Sequence, residues 1–167
     1  VENVATGAAS VLLVAHRFPE AGAALEAGGA DAAAAVSEAL RLDSPAQLIP
    51  RIARRPTELR GHPVGEGMPV FLALGAANRD PEAFDAPDDF RLARDRAAVL
   101  TFGAGRHYCL GAGLAEAQIR AMTSRLRRGG HEVEPPPGGV RYRRRTGHRW
   151  PEALPLRRRT GPGHTSR

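Results

Sequence analysis

A single thiol, at Cys109, is the side chain of this sequence best suited to bind a soft metal ion. It lies in the segment Phe102-Gly103-Ala104-Gly105-Arg106-His107-Tyr108-Cys109-Leu110-Gly111, and the 167 residues contain no second cysteine. Gly103 and Gly105 allow the backbone to turn tightly beneath a flat ligand, and Gly111 allows a helix to start close against it. A lone cysteine is also commonly a small buried hydrophobic residue, so the thiol by itself leaves both interpretations open.

The residues after Cys109 predict a helix from Leu110 to Arg128. Four apolar residues repeat with helical spacing and predict one apolar stripe: Ala115, Ile119, Met122 and Leu126. Gly129 and Gly130 are typical of a helix end. The free N–H groups and the positive dipole end of this helix would then lie beside Cys109 and favour its thiolate, the form that binds metals.

Other sites built from glycines or cysteines do not match the sequence. A dinucleotide-binding loop needs a third glycine or alanine where the two available frames have Tyr108 and Glu116. A Walker-type phosphate loop needs a lysine, and all 24 long basic residues of the chain are arginines. A zinc site or a thiol–disulfide motif would need further cysteines or suitably spaced histidines.

The motif F-G-x-G-x-H-x-C-x-G followed by a helix resembles the heme-binding loop of the cytochrome P-450 family in its bacterial soluble form. Proteins of this family hold heme iron through a cysteine thiolate. The resemblance implies that Cys109 is the axial ligand of heme b, that Phe102 shields the sulfur and that His107 contacts a heme propionate. It also implies that three glycines make room for the cofactor, namely Gly103, Gly105 and Gly111.

Four charged residues match the family by position. Glu38 and Arg41 share one helix face at a spacing that allows them to pair, although E-x-x-R is by itself common on solvated helices. The resemblance implies that this pair, with Arg94 as a third member, holds the core beneath the heme. It also implies that Arg51 reaches a propionate, the alternative being an ordinary surface arginine.

The first residues resemble the end of the long distal helix, the I helix, that crosses above the heme. Apolar residues at helical spacing predict a helix to about residue 17. With Pro19 as the anchor of the alignment, Glu2 and Asn3 fall where relatives have an acid and a threonine that relay protons during oxygen activation. Asn3 departs from threonine, and a neutral amide relays protons poorly.

The remaining elements are predicted from proline, glycine and apolar patterns. Pro19 starts a helix that ends near Ala27, and Asp31 caps the next helix, Ala32–Leu42. Beyond residue 44, prolines favour turns and strands, with an apolar strand at Met68–Leu74. Two further short strands are predicted at Val140–Tyr142 and Leu154–Leu156.

These elements predict a mainly α fold with small β-sheets, of the α+β class. The resemblance implies the C-terminal part of the cytochrome P-450 fold, from the end of the distal I helix through the heme-binding loop and the L helix. We expect residues 1–159 to form this part of the domain and residues 160–167 to be a disordered tail. The apolar faces of residues 4–15 and 110–126 are expected to lack partners.

Charge and cysteine usage limit the other classes. The net charge is +6, and residues 140–167 hold nine arginines but one acid, a pattern that can bind nucleic acid. The tail lacks the interleaved aromatic residues of a stacking surface, which argues against a nucleic-acid partner. The apolar stretch 4–15 is too short to span a bilayer. A lone cysteine is typical of a reducing compartment, so we expect a cytoplasmic protein without a membrane partner.

The resemblance implies a heme-thiolate monooxygenase that inserts one oxygen atom from O2 into a small apolar substrate. Electrons would come from NAD(P)H through an NAD(P)H-dependent reductase and a ferredoxin-like donor. Because the resemblance matches only the C-terminal two-fifths or so of a family member, we expect a fragment with little activity of its own. Two alternatives are a non-catalytic remnant that binds no heme and an arginine-rich binding module.

Overall fold

The computed structural model describes residues 2–159, which form helices and three small sheets. The helices are α1 (Glu2–Arg17), α2 (Pro19–Ala27), α3 (Gly29–Leu42), α4 (Leu74–Ala77) and α5 (Ala112–Arg128). The strands are β1 (Leu48–Ile52), β2 (Thr57–Leu59), β3 (His62–Val64), β4 (Pro69–Ala73), β5 (His131–Val133) and β6 (Leu156–Arg158). The predicted mainly α fold with small β-sheets is confirmed, and the predicted disordered tail, 160–167, lies outside the described residues.

Four helices, α1, α2, α3 and α5, pack together around the core. Val11, Leu25, Val36, Leu40 and Ile119 are almost completely buried there. The expectation that the apolar faces of residues 4–15 and 110–126 lack partners is wrong where α1 and α5 cover each other, but Leu110, Leu114 and Met122 are exposed as expected. Burial of these faces removes apolar surface from water, which is the main force that stabilises a fold.

A glycine sets the closest approach between α1 and α5. A Cβ atom added at Gly7 would lie 2.6 Å from Cδ1 of Ile119. Because α1 has only a hydrogen at that position, the isoleucine side chain fits directly against its backbone. Ile119 is therefore buried, as the predicted apolar stripe of α5 requires.

The rest of the predicted α5 stripe needs correction. The helix begins at Ala112 rather than Leu110, and Met122 is exposed while Thr123 is fully buried. Thr123 can be buried because its hydroxyl donates a hydrogen bond to the carbonyl of Ile119, at 2.8 Å. Apolar periodicity cannot detect a threonine that satisfies its hydroxyl on its own helix.

The two short connections between α1, α2 and α3 are tight turns. Helix α2 has the predicted bounds, with Pro19 in its first turn. Helix α3 begins at Gly29, earlier than predicted, because Gly28 adopts a φ of 82° and its carbonyl accepts a hydrogen bond from Ala32 N–H at 3.1 Å. Asp31 therefore lies within the first turn and is not the cap, a position where an acid still interacts favourably with the helix dipole.

The three sheets are antiparallel pairs. Strand β1 pairs with β4 from Leu48 opposite Ala73 to Ile52 opposite Pro69, and β4 lies within the strand predicted at Met68–Leu74. Strand β2 pairs with β3, and β5 pairs with β6. No helix within the described residues is long and apolar enough to cross a membrane.

The two strands predicted near the C-terminus are wrong. In the structure Tyr142 forms only a single bridge, with Pro151, and the paired strands are β5 and β6. Pro155 has no N–H to donate, so the ladder of β6 starts at Leu156, beyond most of the strand predicted there.

The C-terminal loop, defined here as residues 143–150, is fastened to the segment between α3 and β1. The carbonyl of Gly147 accepts hydrogen bonds from Gln47 N–H at 2.7 Å and Leu48 N–H at 3.2 Å. Arg149 N–H donates to the carbonyl of Pro45 at 3.0 Å, and His148 forms a bridge with Ala46. The loop therefore has a fixed position relative to β1.

Gly147 is the position where this attachment is most sensitive to a side chain. Its φ is 77°, and a Cβ atom there would lie 2.8 Å from the carbonyl oxygen of Leu48. We expect Gly147→Ala to lower the free energy of unfolding by about 2–4 kcal/mol, from left-handed strain and overpacking together. Urea unfolding measures the change.

Gly139→Ala is the matched control. Gly139 has a φ of 86° but nothing within 4 Å of an added Cβ atom. Only the backbone strain then applies, and the expected loss is about 1 kcal/mol. Equal losses for the two variants would show that the contact with Leu48 does not matter.

Candidate functional site

The segment Phe102–Gly111, hereafter the cysteine loop, is closed by a backbone hydrogen bond. Cys109 N–H donates to the carbonyl of Phe102 at 2.9 Å. Gly103 and Gly105 adopt φ values of 75° and 64°, the region that favours glycine. A short 3₁₀ turn at Gly105–His107 follows, and the loop presents the Cys109 side chain at the surface, just before α5.

Cys109 lines an open cavity of about 280 Å3. The wall is contributed by α1, the C-terminal end of α3, β1, the start of α4, the cysteine loop and α5. Its apolar members include Val4, Leu40, Ile49, Leu74, Phe102 and Ile119. The cavity therefore combines one exposed sulfur with a mostly apolar wall.

The predicted cofactor residues fall into two groups. Phe102, Gly103, His107, Cys109 and Arg51 all line the cavity, so residues from β1 and from the cysteine loop meet there. The other two predicted glycines lie outside the lining. A Cβ atom would meet nothing within 4 Å at Gly105, and only Sγ of Cys109, at 4.0 Å, at Gly111.

Two basic side chains at the cavity are free to bind an anion. Arg51 is exposed, and its Nη1 donates only to the neighbouring carbonyl of Pro50, at 2.9 Å. His107 is also exposed, on the cysteine loop. A cationic group and an imidazole thus lie at the wall that carries the thiol.

Of the two predicted proton-relay residues, only Asn3 lines the Cys109 cavity. Asn3 lines the cavity, whereas Glu2 is exposed and lines a neighbouring pocket that Asn3 also borders. Both stand in the first turn of α1.

The predicted charged cluster is buried away from the cavity wall. Arg41 donates to Glu38 twice, from Nε to Oε2 at 2.9 Å and from Nη2 to Oε1 at 2.8 Å. Arg94 Nε donates to the same Oε1 at 2.7 Å. The side chains of Glu38 and Arg41 have at most 1% of their area exposed, and that of Arg94 has 6%. The Glu38–Arg41–Arg94 contacts therefore form one desolvated ion-pair network.

Arg41 also binds the irregular segment between β4 and α5. Its Nη1 donates to the carbonyls of Asn78 at 2.7 Å and Pro87 at 2.8 Å, and its Nη2 donates to that of Asp89 at 3.2 Å. These contacts connect α3 to the chain that leads into the cysteine loop.

Asn78 is a positioning residue that the sequence analysis missed. It is fully buried, its Oδ1 accepts Leu100 N–H at 2.7 Å, and its Nδ2 donates to the hydroxyl of Ser44 at 2.9 Å. Thr101 in turn donates to the carbonyl of Leu40 at 3.1 Å. Asparagine is usually exposed, and Asn78 follows the short helix α4 with no local sequence pattern that indicates burial.

The main pKa changes lie away from the cysteine. Burial raises the pKa of the Asp43 carboxyl, although the charge of Arg149, whose Nε lies 2.8 Å away, acts in the opposite direction. A hydrogen bond and the charge of Arg91 lower the pKa of Asp85, which is exposed. Neither residue borders the Cys109 cavity.

Comparison with known proteins matches most of the chain to one family. The profile described as Cytochrome P450 matches residues 32–138. The chain is 40% identical over 117 residues to the putative cytochrome P450 133B1 of Xylella fastidiosa, covering 70% of this chain and 29% of that protein. It is 46% identical over 91 residues to the biotin biosynthesis cytochrome P450 of Bacillus subtilis, covering 53% of this chain and 23% of that protein.

Solved structures match nearly the whole chain. The crystal structure of CalO2 superposes with a TM-score of 0.84 at 36% identity, covering 93% of this chain and 39% of that one. P450BioI, solved in complex with an acyl carrier protein ligated to hexadec-9Z-enoic acid, gives a TM-score of 0.82 at 34% identity, with 93% and 40% covered. The chain thus spans about two-fifths of the structures and less than a third of the curated relatives it matches.

The buried pair makes a specific prediction about stability. Arg41→Ala removes two hydrogen bonds from the Glu38 carboxylate and the guanidinium donors of the Asn78 and Pro87 carbonyls. We expect the free energy of unfolding to fall by about 3–5 kcal/mol, with a matching loss of soluble protein. Urea unfolding and soluble yield measure both effects.

Arg60→Ala removes an arginine that also contacts a carboxylate, Glu82, but at the surface. The two side chains are 88% and 74% exposed, so the expected change is within about 0.5 kcal/mol. If Arg41→Ala were as stable as Arg60→Ala, the buried network would not be what holds α3 to the irregular segment.

Proposed function

Because the chain belongs to the cytochrome P450 family, we propose that it carries the heme-thiolate site of a monooxygenase that inserts one oxygen atom from O2 into a small apolar substrate. The observation that carries this proposal is the position of Cys109, whose thiol lines a mostly apolar cavity. Heme iron held by a cysteine thiolate is the cofactor of the family, and the thiolate supplies the electron density that favours O–O cleavage.

The residues at the cavity fit such a cofactor. A porphyrin presents a large apolar face, a metal that accepts a soft ligand and two carboxylates. The cavity offers apolar walls from Leu40, Ile49 and Ile119, one thiol, and basic groups at Arg51 and His107. Gly111 leaves room beside the sulfur, because an added Cβ atom there would lie 4.0 Å from Sγ of Cys109 and meet no backbone.

The residues of the cysteine loop, together with Arg51 of β1, have roles that follow from their positions at the cavity. Cys109 provides the sulfur ligand, and the ring of Phe102, packed against the helical core, excludes water from one side of it. Arg51 and His107, which line the cavity, would bind the two carboxylates of the cofactor. Gly103 and Gly105 hold the loop in its positive-φ turns.

Glu38, Arg41 and Arg94 act as positioning residues. They do not border the cavity, but through Asn78 and the backbone of residues 87–89 they fix the segment that leads into the cysteine loop. A change in this cluster alters where Cys109 lies, and with it the stability of cofactor binding.

Asn3 and Glu2 handle protons in this proposal. Asn3 borders the cavity, and Glu2, one residue before it in α1, is exposed and borders the neighbouring pocket. An amide can hold a water molecule in place but cannot pass a proton in the way a hydroxyl can. Proton delivery therefore relies on ordered water between Glu2 and the cavity.

Electrons come from NAD(P)H through a reductase and a ferredoxin-like donor. Both partners are cytoplasmic proteins in this proposal. Arg106 is exposed on the cysteine loop, three residues before Cys109, and can attract an acidic donor. P450BioI has been solved with an acyl carrier protein. For this chain we propose a small diffusible substrate and a separate electron donor.

Cys109→Ser tests the assignment of the ligand. In the natural polypeptide that carries this chain, the ferrous carbonyl spectrum of the unchanged protein should show the band typical of a thiolate ligand, and the variant should lose it. A hydroxyl is a poor substitute because it is not ionised at neutral pH. A thiolate-type band that survives the substitution would exclude Cys109, and absence of any heme signal in both proteins would favour the non-catalytic remnant.

Asn3→Thr tests the proton role. A hydroxyl at this position should increase the fraction of NAD(P)H oxidation that yields product and reduce peroxide release, by about twofold or more. Asn3→Ala, which removes the polar group, should leave coupling unchanged or lower it. If Asn3→Thr lowers coupling, the amide has a positioning role and the relay does not run through residue 3.

A further inference from the structure

A second pocket lies beside the Cys109 cavity, on the other side of Asn3. This side pocket, of about 390 Å3, is open to solvent and is lined by Glu2, Asn3, Arg145, His148 and Trp150. Asn3 also lines the Cys109 cavity, so the two spaces share one wall residue. A ligand bound in the side pocket and long enough to pass Asn3 could therefore reach the edge of the Cys109 cavity.

Arg145 is a fixed cation in this pocket. Its guanidinium carbon lies 4.2 Å from the centre of the Trp150 ring, and Trp150 is only 7% exposed. A guanidinium stacked on a buried indole is held in one orientation and keeps its N–H groups free at its edge. Within residues 2–159, no carboxylate lies within 4.0 Å of Arg145, and its side chain donates no hydrogen bond.

The backbone that carries Arg145 is also fixed with respect to the cavity. The C-terminal loop binds Pro45 and Ala46 through Arg149 N–H and the His148 bridge, and both residues line the Cys109 cavity. Gly147 adds two hydrogen bonds to the start of β1. The position of the guanidinium relative to the thiol therefore does not depend on a flexible loop.

We propose that the side pocket binds the carboxylate of the substrate, through Arg145, while the apolar body of the substrate extends past Asn3 towards the cofactor site at Cys109. The substrate class is then a monocarboxylic acid with an apolar chain or ring. This inference rests on the proposed function, because it takes the cavity at Cys109 as the place of oxygenation.

Glu2 restricts the ligand further. Its carboxyl group borders the same pocket and opposes a second anionic group on the ligand. A carboxylate bound to Arg145 gains a charge-assisted, two-pronged hydrogen bond that a neutral alcohol cannot form. The pocket should therefore prefer an acid over the matching alcohol, and a monoacid over a diacid.

Trp150 gives a readout that does not require the cofactor. It is the only tryptophan of the chain and forms part of the pocket wall, so its fluorescence reports binding there. We would titrate the cofactor-free protein with decanoate, decanol and decanedioate. Decanoate should change the fluorescence saturably and bind about tenfold or more tightly than the other two probes.

The variants separate charge from packing. Arg145→Gln should weaken decanoate binding about tenfold, to the level of decanol, without changing decanol binding. Arg145→Lys keeps the charge and should stay within about threefold of the unchanged protein even if stacking is weaker. Arg144→Gln is the matched control, because Arg144 precedes Arg145 in the same loop but does not line the pocket, and it should change nothing.

Three outcomes would overturn the inference: equal affinity for decanoate and decanol, an Arg145→Gln variant that loses both equally, or an Arg144→Gln variant that loses decanoate as strongly. Each would leave the assignment of Cys109 intact, since that is read from the ferrous carbonyl spectrum. The converse result is also possible to detect. If the thiolate-type band is missing but decanoate still binds selectively, the proposed function is overturned and the acid-binding pocket is supported.

Discussion

The fold depends on one buried guanidinium. Arg41 is completely withdrawn from water, and each of its five N–H groups has a partner: two oxygens of Glu38 and the carbonyls of Asn78, Pro87 and Asp89. The chain between β4 and α5 has little regular structure, so its buried carbonyls cannot be satisfied by a helix or a sheet. Arg41 supplies those donors, and no lysine could, because an ammonium group has three donors and no planar fork.

The parts of the fold that the sequence could predict are those coded by local signals. The bounds of α2 follow from Pro19 and the glycines after it, and the turns of the cysteine loop follow from its glycines. The residues that line the cavity were harder to predict from local patterns, because packing between distant segments brings Arg51 and Cys109 together. Asn78 had no local signal at all, since its hydrogen bonds join residues that the sequence separates widely.

The arginine-rich C-terminal segment shows how a charge count misleads. In the sequence its arginines indicate a solvated basic surface, but in the structure several are paired with acids of α2, of β5 and of the residue that follows α3. These contacts are Arg149 with Asp43, Arg157 and Arg159 with Glu132, and Arg159 with Glu26. The pairs fasten β6 and the C-terminal loop to the helical core, so much of the positive charge is used within the fold.

The separation in sequence between bonded groups has a consequence for the order of folding. Arg41 and the carbonyl of Asn78 are 37 positions apart, and Thr101 and the carbonyl of Leu40 are 61 apart. Contacts over such distances close large loops, and the entropy of closure delays them relative to helix formation. The cysteine loop should therefore acquire its shape only after α3 has packed, so the Cys109 thiol reaches the position proposed for a ligand late in folding.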